Sequence, residues 1–287
     1  VDRIIGVGEE ISAAASRFEI DKRFFRTTTE LIESGILSSL RNEVVLIKGA
    51  RVFHFDDITD LLELKVHETI LEINLEALVD NLNYYRNKLK PDTKMVCMVK
   101  ASAYGAGSFE IAKTLEDHRV DIIMCTTLAK QYLRLLQMAG INSSIIIMNP
   151  ELTAFKTMFD YKLEPEVYSF HLLEELIKAA GREGVSNFPI HIKIDTGMHR
   201  LGFAPEEIPA LVDRLHRQSA VIPRSVFSHL VGSDAERFDS FTRRQIETFE
   251  NASAELQAGF SHKILRHICN TAGIERYPGA QFDMVRL

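Results

Sequence analysis

The sequence predicts an α/β protein dominated by a parallel (β/α)8 barrel of the TIM type, preceded by part of a Rossmann-like α/β domain. From about residue 66 onward, nine short apolar runs alternate with amphipathic stretches, and several runs are apolar at every position. Strands that alternate with helices form right-handed parallel units, and strands buried on both faces are apolar throughout. This many units favours a closed barrel over an open sheet.

The first part of the chain, residues 1–65, has a different pattern. Apolar runs at 3–7 and 43–48 predict strands, and helical patterns cover 28–40 and 55–64. The order strand, helix, strand, helix is typical of part of an open α/β domain.

The second part, residues 66–287, supplies the elements of the barrel. The predicted strands cover residues 69–73, 94–99, 120–125, 144–148, 163–167, 189–194, 226–230, 264–269 and 282–287. The predicted helices cover residues 75–88, 108–116, 130–138, 152–160, 171–180, 206–217 and 242–258. The chain begins at Val1 rather than at a methionine and stops inside the last predicted strand. We therefore expect a fragment, with a barrel that is truncated at its C-terminal end.

Composition narrows the class of protein. The 287 residues carry a formal net charge of -6, which argues against a nucleic-acid-binding protein. No apolar run approaches the roughly 18 residues of a membrane-spanning helix, and no signal peptide is visible. The three scattered cysteines, Cys97, Cys125 and Cys269, lack metal-site spacing and suit a reducing cytoplasm. We expect a cytoplasmic protein with no metal, membrane or nucleic-acid partner.

Polar residues follow several predicted strands at the point where each strand ends. The active site of a barrel lies at the carboxyl ends of its strands, so these residues are the candidates for chemistry. They are Lys100, Asp195 with Thr196, His229, Asn270 with Thr271, and Arg286.

Lys100 is the candidate with the clearest chemistry. Desolvation at the end of an apolar strand would lower the pKa of its amine, and a neutral amine can attack a carbonyl cofactor. A lysine that extends out of the barrel mouth into solvent is the structural alternative. The glycine-bearing loop that follows could bind a phosphate, with help from the Tyr104 hydroxyl, or could form only a tight turn.

Five ordered segments resemble the signatures of alanine racemases and together cover about residues 66–287. They are VKASAYGAG at 99–107, KIDTGMHRLG at 193–202, SHLVGSDA at 228–235, RHICNTA at 266–272 and MVRL at 284–287. The resemblance implies pyridoxal 5'-phosphate as cofactor, alanine as substrate, and a homodimer in which each subunit's barrel carries the cofactor.

The resemblance also implies a role for each matching residue. Lys100 would hold the cofactor covalently and act as the base facing the D-enantiomer. Tyr104 and Thr271 would bind the phosphate, Arg200 the phenolic oxygen and Arg286 the pyridine nitrogen, while His229 would fix Arg286 and Asn270 would support the pocket. Lys193 is a possible carbamylated lysine whose carbamate would pair with Arg200. Arginine is a poor proton donor, so Arg286 would keep the ring nitrogen unprotonated and weaken the electron sink, which limits side reactions.

A second acid/base is needed on the opposite face of the substrate. The resemblance assigns it to a tyrosine of a C-terminal β domain that the partner subunit presents, and this sequence contains no match to that domain. We therefore expect impaired racemisation by this chain alone.

The segment VVLIKGAR at 44–51 resembles a motif near the C-terminus of Mur ligases that add D-alanyl-D-alanine to a peptidoglycan precursor. Residues 3–8 and 25–27 also fit that domain, although a generic Rossmann-like piece is the alternative. The resemblance implies a bifunctional protein for cell-wall synthesis. No GxxxxGK[ST] loop occurs, so the ligase activity would not reside in these residues.

Three other interpretations of the barrel stay open. A non-catalytic pyridoxal-phosphate-binding module would bind the cofactor without exchanging the Cα proton. A related barrel decarboxylase would place an acidic residue where Arg286 stands. A cofactor-free barrel would not bind pyridoxal phosphate at all.

Overall fold

A computed structural model describes residues 1–63, 72–100, 103, 108–125 and 143–287. The chain divides into two compact units, Val1–Ile70 and Leu71–Leu287.

The first unit contains a two-stranded parallel sheet. Strand β1 (Arg3–Val7) pairs with β2 (Asp21–Phe25) from Arg3 opposite Asp21 to Val7 opposite Phe25. Helix α1 (Glu9–Ala13) connects them, and α2 (Thr28–Glu33) and α3 (Asp56–Leu62) follow. A small core of Val7, Leu31, Leu37 and Ile58 holds these elements together.

Two sequence predictions for this unit need correction. The strand predicted at 43–48 is wrong, because these residues form no regular element and the side chains of Val44 and Leu46 are exposed. The second strand is instead β2. Its charged residues Asp21, Lys22 and Arg23 interrupt the apolar pattern from which a strand is predicted. The helix predicted at 28–40 is interrupted at Gly35, which has a φ of 69°, and a 3-10 turn at Ile36–Ser39 follows it.

The second unit is a closed barrel of eight parallel strands. In chain order the strands are β3 (Lys94–Met98), β4 (Ile122–Cys125), β5 (Ser144–Ile147), β6 (Leu163–Val167), β7 (Phe188–Lys193), β8 (Val221–Phe227), β9 (Leu265–His267) and β10 (Met284–Arg286). Each strand pairs with its neighbour in sequence, and β10 pairs with β3 to close the ring.

The expectation of a barrel truncated at its C-terminal end is therefore wrong. Met284, Val285 and Arg286 of β10 pair with Lys94, Met95 and Val96 of β3, so eight predicted strands suffice for closure. The ninth, predicted at 69–73, lies mostly outside the described residues. The strand predicted at 226–230 begins earlier, at Val221. Pro223 lies within β8 and interrupts the apolar run, so the prediction missed the start of the strand.

Helices follow most of the strands. They are α4 (Leu75–Arg86), α5 (Ser108–Asp117), α6 (Phe155–Tyr161), α7 (Phe170–Glu183), α8 (Ile208–His216), α9 (Asp239–Ala258) and α10 (Thr271–Arg276). The helix predicted at 130–138 lies outside the described residues. Helix α10 has six residues, too few for a helical period to show in the sequence.

Helix α7 shows why these segments are helical. The Ser169 side chain accepts a hydrogen bond from the Leu172 backbone amide at its start, and Gly184 ends it in the left-handed conformation. Its buried residues recur at helical spacing and pack against the outside of the barrel. Among the residues that the structure describes, no helix has the length and apolar character to span a membrane.

The barrel interior has an apolar half and a polar half. Alternate side chains of a strand point inward, and on one side these form a separate apolar cluster of Val96, Ile122, Met124, Ile146 and Met284. The polar half, on β6 to β9, contains the buried residues Glu164, Glu166, His191, Lys193, Ser225 and His267. Because burial of charged groups without partners is costly, Glu164, Glu166, His191, Lys193 and Ser225 are joined by hydrogen bonds and ion pairs.

Candidate active site

The carboxyl ends of the strands, called the barrel mouth below, bear most of the predicted site residues. Lys193 and Arg286 are the last residues of β7 and β10, and Lys100 and His229 lie two residues beyond β3 and β8. Asn270 caps α10, which begins at Thr271, and Arg200 belongs to the loop after β7. Tyr104 lies outside the described residues.

Lys100 extends from the end of β3 and is exposed. The backbone before it is fixed, since the Val99 amide donates a hydrogen bond of 2.8 Å to the Met124 carbonyl on β4. Because the Lys100 side chain is exposed, the expectation that its amine is desolvated is not met. The exposed Lys100 side chain lies at the mouth.

His229 and Arg286 contact each other directly. Arg286 Nη2 lies 3.0 Å from His229 Nδ1. Because a guanidinium only donates hydrogen bonds, Nδ1 of His229 accepts, and the proton of the neutral ring is on Nε2. The Arg286 backbone is in turn fixed by its amide, which donates to the Cys269 carbonyl at 2.9 Å.

Positive charge is concentrated around His229. Burial, followed by the charges of Arg286, Arg200, Lys193 and Lys100, lowers the pKa of His229 to about 4. His229 is therefore neutral near pH 7. Four cations from β3, β7, the loop after β7 and β10 thus converge on one part of the barrel mouth, which favours an anionic ligand.

Lys193 has a partner that the sequence did not predict. Its Nζ lies 3.0 Å from Oε1 of Glu166 on β6, and both side chains are buried. The geometry at Oε1 is not that of a directed hydrogen bond, so the contact is mainly ionic. Oε2 of Glu166 accepts a hydrogen bond of 2.7 Å from the Asn149 backbone amide, which fixes the carboxylate.

The DTG segment forms a tight loop after β7. Oδ1 of Asp195 accepts hydrogen bonds from the backbone amides of Gly197 at 2.9 Å and His199 at 3.0 Å. Burial acts to raise the pKa of Asp195, but these bonds and the His199 ring outweigh it, and the pKa is lowered. The loop returns at Phe203, whose amide donates to the Lys193 carbonyl at 2.9 Å. Asp195 is thus a structural residue that shapes the loop bearing Arg200.

Gly202 permits this return. Its φ is +136°, and a Cβ there would lie 2.4 Å from the Asp195 backbone nitrogen. Only glycine fits this close approach of two backbone segments without strain.

A buried chain of hydrogen bonds connects the loops after β7 and β8. Gln245 Nε2 of α9 donates to Thr196 Oγ1 at 3.2 Å and to the His229 carbonyl at 3.0 Å. The hydroxyls of Thr196 and Ser228 are 2.8 Å apart, and Ser228 donates to the Ile194 carbonyl. This network sets the backbone position of His229. Sequence reasoning missed Gln245, although a glutamine within the apolar face of a helix was a usable signal.

Asn270 connects the loops after β8 and β9. Its Oδ1 accepts from the Gly273 amide at 2.9 Å and from Ser233 Oγ at 2.7 Å, and its Nδ2 donates to the Leu230 carbonyl at 3.1 Å. These bonds place the start of α10, and with it Thr271, beside the barrel mouth.

Below the mouth lies a further buried network that sequence reasoning did not assemble. His191 contacts Ser225 Oγ at 2.6 Å through Nδ1 and Glu164 Oε2 at 2.8 Å through Nε2. The His267 ring stacks on Phe227, and its Nε2 is buried without a hydrogen-bond partner among the described residues. Burial, with the charges of His191 and Arg286, holds the pKa of His267 well below 6.5.

Fold and site define a (β/α)8 barrel protein with a cationic, histidine-bearing site at the carboxyl ends of its strands. The family model described as alanine racemase, N-terminal domain, matches residues 73–287, about three quarters of the chain. The chain belongs to this family.

Individual relatives agree with the family match. The chain is 32% identical over 217 residues to alanine racemase 2 of Clostridium acetobutylicum, and these residues are 75% of this chain and 54% of that protein. It is 33% identical over 216 residues to an alanine racemase of Cutibacterium acnes, covering 75% of this chain and 56% of that protein. The chain therefore spans little more than half the length of the curated relatives it matches.

A solved structure supports the fold. The alanine racemase of Clostridium difficile 630 superposes with a TM-score of 0.68 at 28% sequence identity, over 76% of this chain and 58% of that chain. A structure from Bartonella henselae, at 23% identity and a TM-score of 0.63, was solved with covalently bound pyridoxal phosphate. At 23% identity this likeness shows the fold alone.

Proposed function

We propose that the barrel holds pyridoxal 5'-phosphate at its mouth and supplies one half of the site that interconverts L-alanine and D-alanine. The observation that best supports this is the convergence of Lys100, Lys193, Arg200 and Arg286 around His229. A phosphorylated aldehyde needs cations for its phosphate and phenolic oxygens and an amine for its carbonyl. Arg200, Arg286 and the exposed Lys100 supply these groups, while Lys193 is paired with Glu166.

When bound, the cofactor supplies the electron sink that makes the Cα proton of alanine acidic. Lys100 Nζ holds the cofactor and, on one face of the substrate, removes or returns the Cα proton. Thr271, and Tyr104 by the resemblance, bind the phosphate, and Arg200 binds the phenolic oxygen.

Arg286 would bind the ring nitrogen of the cofactor as a hydrogen-bond donor. Since Nδ1 of His229 accepts from Arg286, the histidine positions the guanidinium, and the neutral ring adds no further positive charge. The arginine cannot give up its proton near pH 7, so the ring nitrogen stays unprotonated. Asn270 and Gln245 hold the loops that carry these residues.

The resemblance assigns the acid/base for the opposite face to a C-terminal domain, and the family match here is to the N-terminal domain. We therefore propose that the whole protein is a homodimer in which a C-terminal domain of the partner completes each site. We propose a cytoplasmic location, where alanine and the cofactor are available.

Residues 1–65 add a second proposal, that the barrel is fused to a Mur ligase that adds D-alanyl-D-alanine. The parallel pair β1 and β2 joined by α1 suits an α/β domain, and residues 44–51 resemble the ligase motif. The coding sequence preceding Val1 tests the fusion: an in-frame GxxxxGK[ST] loop is expected. A stop codon shortly upstream would contradict the proposal.

The test of the proposed function is exchange of the alanine Cα proton in D2O, followed by proton NMR with pyridoxal phosphate added. Because Lys100 acts on the face of the D-enantiomer, we expect D-alanine to exchange faster than L-alanine. Lys100→Ala should reduce the rate to that of free cofactor, while Lys94→Ala, at the opposite end of β3, should not change it. Cofactor binding without any exchange would favour the non-catalytic module instead.

A further inference from the structure

Two lysines lie at the barrel mouth in opposite environments. Lys100 is exposed, whereas Lys193 is buried with a relative exposure of 3%. Lys193 Nζ lies 3.0 Å from Oε1 of Glu166, and Glu166 itself is completely buried. The second carboxylate oxygen is fixed by the Asn149 amide at 2.7 Å. Glu166 therefore cannot turn away from Lys193 without losing a buried hydrogen bond.

This environment determines which electrophiles Lys193 can meet. A lysine reacts with carbon dioxide or with an aldehyde through the lone pair of its neutral amine, and an ammonium has none. An ammonium beside Glu166 forms an ion pair that shields both charges. A carbamate on the same nitrogen would instead place a second anion within a few ångströms of a buried carboxylate.

We propose that Glu166 keeps Lys193 in its ammonium form, so that Lys193 is not carbamylated and Glu166 itself is the anion at this position. Carbamylation would form an N–C bond between the neutral amine and carbon dioxide and release one proton to solvent. The ion pair with Glu166 would be lost in that step. The proposal rests on the proposed function. Within that function, Lys100 is the lysine of this pair that reacts with the cofactor. Glu166 is thus a positioning residue.

The experiment is carbon NMR of the 287-residue chain equilibrated with [13C]bicarbonate, compared with three single variants and one double variant. Glu166→Gln removes the charge but preserves the size of the side chain. Glu164→Gln is the matched control, since Glu164 is a buried carboxylate on the same strand that pairs with His191 and Arg224. Lys193→Arg identifies any carbamate resonance that comes from Lys193.

We expect no Lys193-dependent carbamate resonance in the unsubstituted chain or in Glu164→Gln. We expect one resonance to appear in Glu166→Gln and to be absent from the double variant Glu166→Gln/Lys193→Arg. If Glu166→Gln does not fold, Glu166→Thr provides the second test. A Lys193-dependent resonance in the unsubstituted chain, or none in the folded Glu166 variants, would overturn the proposal.

The same samples separate this proposal from the proposed function. Borohydride reduction after addition of pyridoxal phosphate reports on Lys100 and does not depend on the carbamate resonance. Loss of the Lys100 adduct would contradict the proposed function alone, whereas the NMR result decides the role of Glu166.

Discussion

His229 is held neutral near pH 7 because burial, and after it four nearby positive charges, lowers its pKa to about 4. Its ring accepts from Arg286 through Nδ1, so protonation would remove an acceptor as well as add a fifth charge. The three histidines His191, His229 and His267 all have lowered pKa values, with burial as the largest cause in each case. The polar half of the barrel thus depends on histidines that stay uncharged.

The low pKa of His229 predicts a loss of stability in acid. The folded state binds the proton only near pH 4, while the unfolded chain binds it near 6.5, so the free energy of unfolding falls as the pH drops through this interval. The contribution of His229 is on the order of 3 kcal/mol. Urea denaturation between pH 7.5 and 4.5 should show a weaker pH dependence in His229→Asn, which retains an acceptor for Arg286. Parallel curves for the two proteins would contradict the assignment.

The Lys193–Glu166 pair predicts a second residue-scale effect. Glu166→Ala leaves an unpaired buried cation and should lower the free energy of unfolding by about 3–5 kcal/mol in urea denaturation. Glu175→Ala removes a partner of the exposed Lys178 at the protein surface and should leave stability within the scatter of the measurement. A similar effect of both substitutions would show that Lys193 does not depend on Glu166.

At the scale of elements, the loop after β7 depends on Gly202. Gly202→Ala combines a strained φ with a backbone clash and should destabilise the protein by about 2 kcal/mol or more. Gly181→Ala, in α7 with open space around it, should be neutral or stabilise by up to about 1 kcal/mol. Thermal unfolding of the two variants checks this, and an unchanged midpoint for Gly202→Ala would contradict the described loop.

The cap of α10 predicts an effect on the site as well as on stability. Asn270→Ala removes a helix cap and two links between loops, and should cost about 1–2 kcal/mol and weaken binding of pyridoxal phosphate. Thr27→Ala removes the cap of α2, which belongs to the first unit, and should cost about 1 kcal/mol. Titration of cofactor absorbance should therefore separate the variants; equal affinities would remove Asn270 from the site.

At the scale of the whole molecule, the positions of the site residues at the strand ends were predictable, because each motif that contains them follows an apolar run in the sequence. Lys100, His229 and Arg286 could be placed at one end of a parallel barrel for this reason. Glu166 and His267 could not, because their roles depend on which neighbours the closed ring brings against them. The run at 43–48 shows the reverse error: an apolar pattern is not a strand without a partner to pair with.

The completion of the barrel by β10 was the least predictable feature, since a closed barrel was predicted but was expected to be truncated at its C-terminal end. The short strand β10 bonds to β3 across a separation of nearly the whole second unit, and this pairing brings Arg286 into the ring that holds Lys100. Local patterns contain no information about such a contact. The site is therefore a product of the closed ring, although its residues lie in recognisable motifs.

The most direct measurement is borohydride reduction of the chain with pyridoxal phosphate, followed by peptide mapping of the modified lysine. We predict a single adduct on Lys100, with Lys94 and Lys193 unmodified, because Lys100 is the accessible lysine among the four cations around His229. An adduct on Lys193, labelling spread over surface lysines, or no adduct would contradict the assignment of Lys100 as the cofactor-binding residue.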